Sequence, residues 1–326
     1  MKIPKHILVI FFASIAALLN CATALAQSPQ TFVSAVNGND SGNCPVNAPC
    51  RTVSYAISQV NASGQVLIVD SGNYDDTIVV TKNVTIAAAP GVAAIFSNAG
   101  SAVSLFRFDY GPTFCTNGGA CHNLTLRNLT LDGQGVTSFG MRASGINLLA
   151  EDCTFTAFFV SGVEAIGSGL YQFKNCIFRA QGIGLSVAPS PEAERPVISV
   201  VVEACRFEML NYGGILLHTL AEKTDLNSIK LVVRDSLFNR AEYAVESVAG
   251  AGGSISVDLE RCEITNSLFA VSSRNSGAVT RVSNSIIVGN TAGLSSSSGG
   301  LLLSRGNNTV EGNNTNGSFT GMFQAK

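Results

Sequence analysis

Tryptophan is absent, histidine occurs only 3 times, and charged residues make up 13% of the 326-residue chain. The 20 Lys and Arg stand against 22 Asp and Glu, a net charge of −2 that becomes −4 once Lys2 and Lys5 of a leader are set aside. A nucleic-acid partner would require clustered Lys and Arg to neutralise phosphates, so this composition excludes that class. Long apolar runs are lacking too. The longest, residues 7–19, falls short of the roughly 20 helical residues needed to cross a bilayer, so no membrane span is predicted.

That run has a different meaning. Lys2, Lys5 and His6 precede it, and Ala24-Leu25-Ala26 follows with the small-x-small pattern of a signal-peptide cleavage site. Residues 1–26 are therefore expected to be an export signal, with the mature chain starting at Gln27 and secreted to a periplasmic or extracellular space. A lipid anchor on Cys21 is disfavoured because Asn20 stands where a small residue is wanted.

What the chain has in quantity is glycine, 32 residues, together with Val, Ser and Asn. This suits short strands joined by tight turns rather than a helical bundle. One unit recurs: an alternating apolar strand, two polar residues, then a second short apolar strand. It reads VTKNVTI, TLRNLTL, LAEDCTF, QFKNCIF, VVEACRF, VVRDSLF, DLERCEI and RVSNSII. The fifth letters are Val84, Leu129, Cys153, Cys176, Cys205, Ser236, Cys262 and Ser285; from Leu129 onward the spacing is 23 to 31 residues. Ile198, Val200 and Val202 alternate with Ser199, Val201 and Glu203, as a strand with one inward face should. The second corner residue is Asn83, Asn128, Asp152, Asn175, Asp235 or Asn284, with Ala204 and Arg261 as exceptions; Asn and Asp tolerate the left-handed backbone of a sharp corner. A third strand is marked by a small residue before an apolar one at Gly140-Met141, Gly162-Val163, Gly182-Ile183, Gly214-Ile215, Ala244-Val245, Ala270-Val271 and Gly293-Leu294. Three strands per coil, repeated at one register, predict an all-β chain: a single right-handed parallel β-helix solenoid. A β-sandwich has alternating strands but no reason to repeat a corner motif.

The solenoid is expected over residues 64–305, with GQVLIV at Gly64 to Val69 as its first strand. Residues 27–63 form an N-terminal cap that includes a short helix near Arg51 to Val60. Residues 306–326 form a C-terminal cap or tail draped over the last coil.

Of nine cysteines, eight remain beyond the leader. Cys44 with Cys50, and Cys115 with Cys121, flank turn-rich loops, and in an exported protein two local disulfides are the default expectation. A zinc site fails on ligand supply, with His122 the only nearby histidine. Cys153, Cys176, Cys205 and Cys262 share one repeat position and read as an inward ladder of small hydrophobes. At the first corner position, Glu151, Lys174, Glu203, Arg234 and Glu260 alternate in sign, so stacked coils would pair them as a solvated edge.

The corner asparagine and the three-strand coil resemble the pectate-lyase-like superfamily of right-handed parallel β-helices. The opening stretch, TFVSAVNGND…APCRTVSYAI…GQVLIVDSGNYDDTIVVTKNVTI, is similar to a group of exported bacterial β-helix repeat proteins of unassigned activity. The resemblance runs from Thr31 to about Ser318. It implies the fold, and carbohydrate (a polysaccharide or surface glycan) as a ligand class. The catalytic motifs of those enzymes do not carry over. The Trp-x-Asp-His segment of the lyases cannot occur without Trp. Of the polygalacturonase motifs only Asp75-Asp76 matches a fragment, in an early turn, and no role is transferred to it.

In that superfamily the active face usually lies on the outer side of the third strand. The outward residues there are expected to be Arg142, Glu164, Gly184, Leu216, Glu246 and Ser272, followed one step on by Ser144, Ile166, Ser186, His218, Val248 and Arg274. Arg142 and Glu164 should be neighbours; His218 should approach Glu246, and Glu246 should approach Arg274. His with a carboxylate and Arg could perform acid–base work on an acidic sugar. Glu164 and Glu246, however, fall about 14 Å apart, too far for a hydrolase pair. The chain reads first as a monomeric, non-catalytic scaffold or glycan- or protein-binding module. A polysaccharide lyase or glycoside hydrolase with an unfamiliar site, and an adhesin-like surface module, are the alternatives. No cofactor is predicted, and calcium enters only for a lyase.

Overall fold

The computed structural model describes residues 28–74, 77–97, 103–107, 122–189, 197–219 and 227–324. Its strands form three parallel sheets of 12, 10 and nine strands, in which each strand pairs with its equivalent one coil away. The first sheet runs from Ser28–Val33 to Gly321–Met322, the second from Gly72–Tyr74 to Thr309–Glu311, and the third from Ile78–Val79 to Ala292–Ser297. The chain passes from first to second to third sheet and returns, a right-handed parallel β-helix.

The corner between first and second sheets is why the repeat is visible. Asn128, Asp152, Asn175, Ala204, Asp235, Arg261 and Asn284 all adopt left-handed conformation, with φ between 49° and 56°. After each, one inward residue opens the second sheet. The pairings align Ala94, Leu129, Cys153, Cys176, Cys205, Ser236, Cys262 and Ser285 in one buried column. Two residues further on, Phe155, Phe178, Phe207 and Phe238 stack with centroids 4.7–4.8 Å apart and planes within 6°. Identical rings at identical register can only stack, because the strand spacing of about 4.8 Å matches the offset-stacking distance of aromatics. Glycines of the third sheet make room for them: a Cβ on Gly184 would lie 2.7 Å from Phe207 Cδ1.

The helix is Val53–Gln59. Thr52 caps it, accepting from the Tyr55 N–H, and Val53, Ala56 and Ile57 are buried against the first coil. Cys44 and Cys50 are bridged, tying down the loop before this helix. The second expected bridge, Cys115 with Cys121, lies outside the described residues, as do Asp75-Asp76 and residues 1–26. The signs at the corner alternate as expected, Glu151 beside Lys174, Glu203 beside Arg234, Arg234 beside Glu260, and Arg127 extends the series with an ion pair of 2.6 Å to Glu151.

Four expectations need correction. Val84 does not belong to the cysteine column: it opens a strand of the first sheet, paired with Gly64 and Leu124, and Ala94 fills the slot below Leu129. VTKNVTI has the letters of the motif but turns the corner from third to first sheet, where Asn83 is not left-handed. The first strand is not GQVLIV but Ser28–Val33, which pairs in parallel with Val60–Ile68. The C-terminal stretch does not drape over the end. Thr309–Glu311 and Gly321–Met322 continue the second and first sheets. Finally, the third-strand marker in QGIGLSV is Gly184-Leu185, because Leu185 pairs with Val163 and Ile215. Two Gly-apolar pairs of equal parity occur there, and only Gly184 leaves space for Phe207.

Candidate functional site on the outer face of the third sheet

Side chains leaving the third sheet outward form columns set by strand pairing. One column is Arg142, Glu164, Ser186, Leu216, Glu246 and Ser272. Ser186, not Gly184, therefore stands between Glu164 and Leu216, a consequence of the shifted marker. The next column outward pairs His218 with Val248 and Val248 with Arg274.

The structure brings the five candidate residues into two groups. Arg142 Nε contacts Glu164 Oε2 at 2.5 Å, and its guanidinium sits 5.5 Å from the Phe139 ring centroid. Three coils beyond Glu164, Glu246 is gripped from both sides. Its Oε2 lies 3.4 Å from His218 Nε2, and its Oε1 lies 2.6 Å from Arg274 Nη2 as an ion-pair contact without hydrogen-bond alignment. Arg274 also donates to Tyr243 Oη at 2.8 Å, with its guanidinium 5.2 Å from the centre of that ring. Tyr243 in turn stacks on Phe269 at 4.8 Å.

Burial separates the groups. The Glu246 side chain is 7% exposed, whereas that of Glu164 is 18% exposed and that of Arg142 49%. Leu216 stands beside Glu246 on the preceding coil, Val248 follows it on its own strand, and the Tyr243 ring that stacks on Phe269 lies against Arg274, so apolar residues adjoin the ion pair. A shielded pair is stronger per contact but carries a desolvation cost, so it persists only when well partnered. His218, half exposed, and Arg274 present polar edges to solvent from this apolar setting.

Tyr243, Phe269 and Phe139 are the residues that sequence reasoning missed. They occupy one outward column, Phe139, Ser161, Ile183, Gly213, Tyr243 and Phe269. The signal was available: an aromatic stands three residues before the outward position in three coils, at Phe139/Arg142, Tyr243/Glu246 and Phe269/Ser272. Among the described residues, no three His, Cys, Asp or Glu side chains converge as metal ligands do. The arrangement can bind through two ring faces, a guanidinium and an imidazole. For acid–base chemistry it offers one carboxylate.

No family model matches the chain, and no curated protein matches it. Solved structures do. A pectate lyase, Pel9A, aligns with a TM-score of 0.51 at 14% identity, covering 86% of this chain and 76% of its own. XylC in complex with xylose has a TM-score of 0.44 at 9% identity, covering 82% and 69%. A GH136 lacto-N-biosidase from Eubacterium ramulus has a TM-score of 0.37 at 12% identity, covering 98% and 70%. The first likeness is one of fold, the pectate-lyase-like right-handed parallel β-helix; the other two carry no argument. Among the described residues no helix is long and apolar enough to cross a membrane.

Proposed function

We propose that this is a secreted, non-catalytic β-helix module that binds glycan along the outer face of its third sheet. The observation that carries the reading is the state of Glu246. Both of its oxygens are engaged, by His218 and Arg274, and the other outward carboxylate of its column, Glu164, lies three coils away. Three coils are about 14 Å, beyond the roughly 5–10 Å that separates the two carboxyl groups of glycoside hydrolases. The same ion pair fixes Arg274 over Tyr243, and stacked Tyr243 and Phe269 offer a partly exposed aromatic surface of the kind that accepts sugar C–H faces.

A screen of plant, bacterial and host glycans and of uronate polymers tests this, read for binding and for cleavage, with and without calcium. Binding without product, reduced by Tyr243→Ala, is the expected result. Release of unsaturated or reducing ends would replace the binding reading with an enzymatic one.

A further inference from the structure

The alternation of charge along the corner between first and second sheets stops near the C-terminal end. From Arg127 through Glu151, Lys174, Glu203 and Arg234 to Glu260, each coil faces a neighbour of opposite sign. The next coil places Ser283 beside Glu260. The coil after it brings Arg305, whose N–H bonds to Val282 O at 3.2 Å, and then Phe323, whose N–H bonds to Ser304 O at 3.0 Å. Arg305 therefore stands between a serine and a phenylalanine. Its side chain is exposed and forms no ion pair among the described residues. Glu260, the nearest carboxylate of the corner, is two coils away, about 10 Å along the axis.

A cleft of about 230 Å³ lies over this break, on the outer side of the first sheet and so on a different face from Glu246. Its charged lining is Arg234, Arg281 and Arg305 against Asp258 and Glu260, three guanidinium groups and two carboxylates. Both carboxylates are engaged. Glu260 Oε1 meets Arg261 Nη1 at 2.9 Å and its Oε2 lies 3.9 Å from Arg234 Nε, while Asp258 Oδ1 lies 3.8 Å from Arg281 Nη1. Arg281 uses that same Nη1 to donate to Ser256 Oγ at 2.9 Å, which leaves its Nε and Nη2 without an acceptor among the described residues. Ser283, two residues on and of the same outward parity, is the one hydroxyl of the lining, and the Phe323 ring supplies an apolar wall beside Arg305.

We propose that this cleft binds a monoanionic, sugar-sized ring, one that carries a carboxylate or a sulfate ester, with the oxyanion held by Arg305 and Arg281 and the ring face laid on Phe323. The site is independent of the third-sheet reading above, since it uses other residues on another face. The lining carries one positive charge more than it balances, and that excess sets the ligand's charge at minus one. Guanidinium groups suit this task because their planar N–H donors match the oxygens of an oxyanion in pairs, and the Ser283 hydroxyl adds a donor between them. A neutral sugar would leave Arg305 as unpaired as before. The volume falls below the roughly 300–1,000 Å³ of pockets for drug-sized ligands, so it admits one ring rather than an extended oligomer.

The test is a ligand-observed NMR titration of the full mature chain with four probes: methyl β-glucuronide, glucose 6-sulfate, methyl β-glucoside and inorganic sulfate. At least one of the two ring anions should bind, more weakly as salt is raised because the contact is between charges near the surface. The tighter of the two identifies the oxyanion as carboxylate or sulfate. The neutral glucoside and the ringless sulfate ion should each bind at least about ten-fold more weakly. Arg305→Gln should cost the ring anion about ten-fold as well. That arginine is exposed and without an ionic partner, so the melting temperature of the variant should match the parent. Tyr243→Ala, on the third sheet, should leave this binding unchanged. Ring-anion binding that survives Arg305→Gln, or that is lost in Tyr243→Ala, overturns the assignment to this cleft. Inorganic sulfate bound as tightly as the ring anions reduces the cleft to a patch of positive charge and overturns the ligand class. No binding of either ring anion overturns the proposal and leaves the third-sheet reading to its own screen.

Discussion

Tyr74 donates its hydroxyl to Asp70 Oδ1 at 2.8 Å, and the same carboxylate accepts from Ser34 Oγ at 2.5 Å and from the N–H groups of Ala35 and Val36. The chain leaving the first strand is thereby fastened to the next coil by one acidic side chain. Burial alone would raise the Asp70 pKa, but these donors outweigh it and hold the carboxylate below the usual range. A folded pKa below the unfolded one adds stability that is full above the unfolded value and lost as pH falls through the folded value.

The first prediction follows. Asp70→Asn should lower stability at neutral pH by about 1–2 kcal/mol, the cost of charge-assisted bonds on a partly shielded group. It should also flatten the acid limb of the stability curve below about pH 4. Denaturant melts of parent and variant from pH 2.5 to 7 check this; parallel curves would mean that the carboxylate charge is immaterial.

Ala204 holds a left-handed φ of 53° at a corner where neighbouring coils place Asn175 and Asp235. For an alanine that conformation costs about 1–2 kcal/mol, and asparagine relieves part of it. Ala204→Asn should therefore raise stability by about 0.5–1 kcal/mol in urea titration. Arg261, the other exception, should not gain from the same change, because it forms two hydrogen bonds to Asp235 at 2.6 and 2.9 Å.

The four ladder cysteines are free and buried, and each thiol contacts a backbone carbonyl. The hydrogen bonds with Cys176, and then burial, push the Cys153 and Cys205 thiols up, burial pushes that of Cys262 up to about 12, and the same shared hydrogen bonds pull Cys176 down, so its protection rests on burial alone. An alkylating reagent at pH 8 should leave all four unmodified in the folded protein and modify them in denaturant, as counted by intact mass. Cys176→Ala should cost about 1 kcal/mol through a small cavity, and Cys176→Ser should be tolerated, since Ser236 and Ser285 occupy the same column. Fast native labelling of Cys176 would show that the column opens.

Arg274→Ala should destabilise more than Arg142→Ala. The first change strands a carboxylate that is 7% exposed, the second one that is 18% exposed with an arginine half in water. About 2–4 kcal/mol against less than about 1 kcal/mol is the expected contrast. Equal losses would mean that the shielding of Glu246 contributes nothing.

The coil was legible because its corner chemistry is local: a left-handed residue beside an inward small one repeats whatever the loops do. Legibility failed where two local solutions coexist. Gly182 and Gly184 both precede an apolar residue, and the choice depends on Phe207, which is remote in sequence. VTKNVTI misled for the same reason, since a polar pair between apolar strands can turn either corner. At the site, His218, Glu246 and Arg274 were readable as neighbours from register alone. The burial of Glu246 was not, because it depends on how side chains of its own strand, Tyr243 and Val248, pack with those of the adjoining coils, Leu216 and Phe269.

The interior changes character along the axis. Midway it is lined by the Phe155, Phe178, Phe207 and Phe238 stack; toward the C-terminus the corresponding positions are Ile264 and Ile287, and Ser247, Ser273, Thr280 and Asn290 are buried nearby. In a stacked array each coil is held only by its neighbours, so local strength follows local composition. The molecule is thus a rod of graded toughness. Pulled or warmed, it should shed coils from its C-terminal end while the phenylalanine-cored segment stays wound, so that the rod shortens stepwise before it melts.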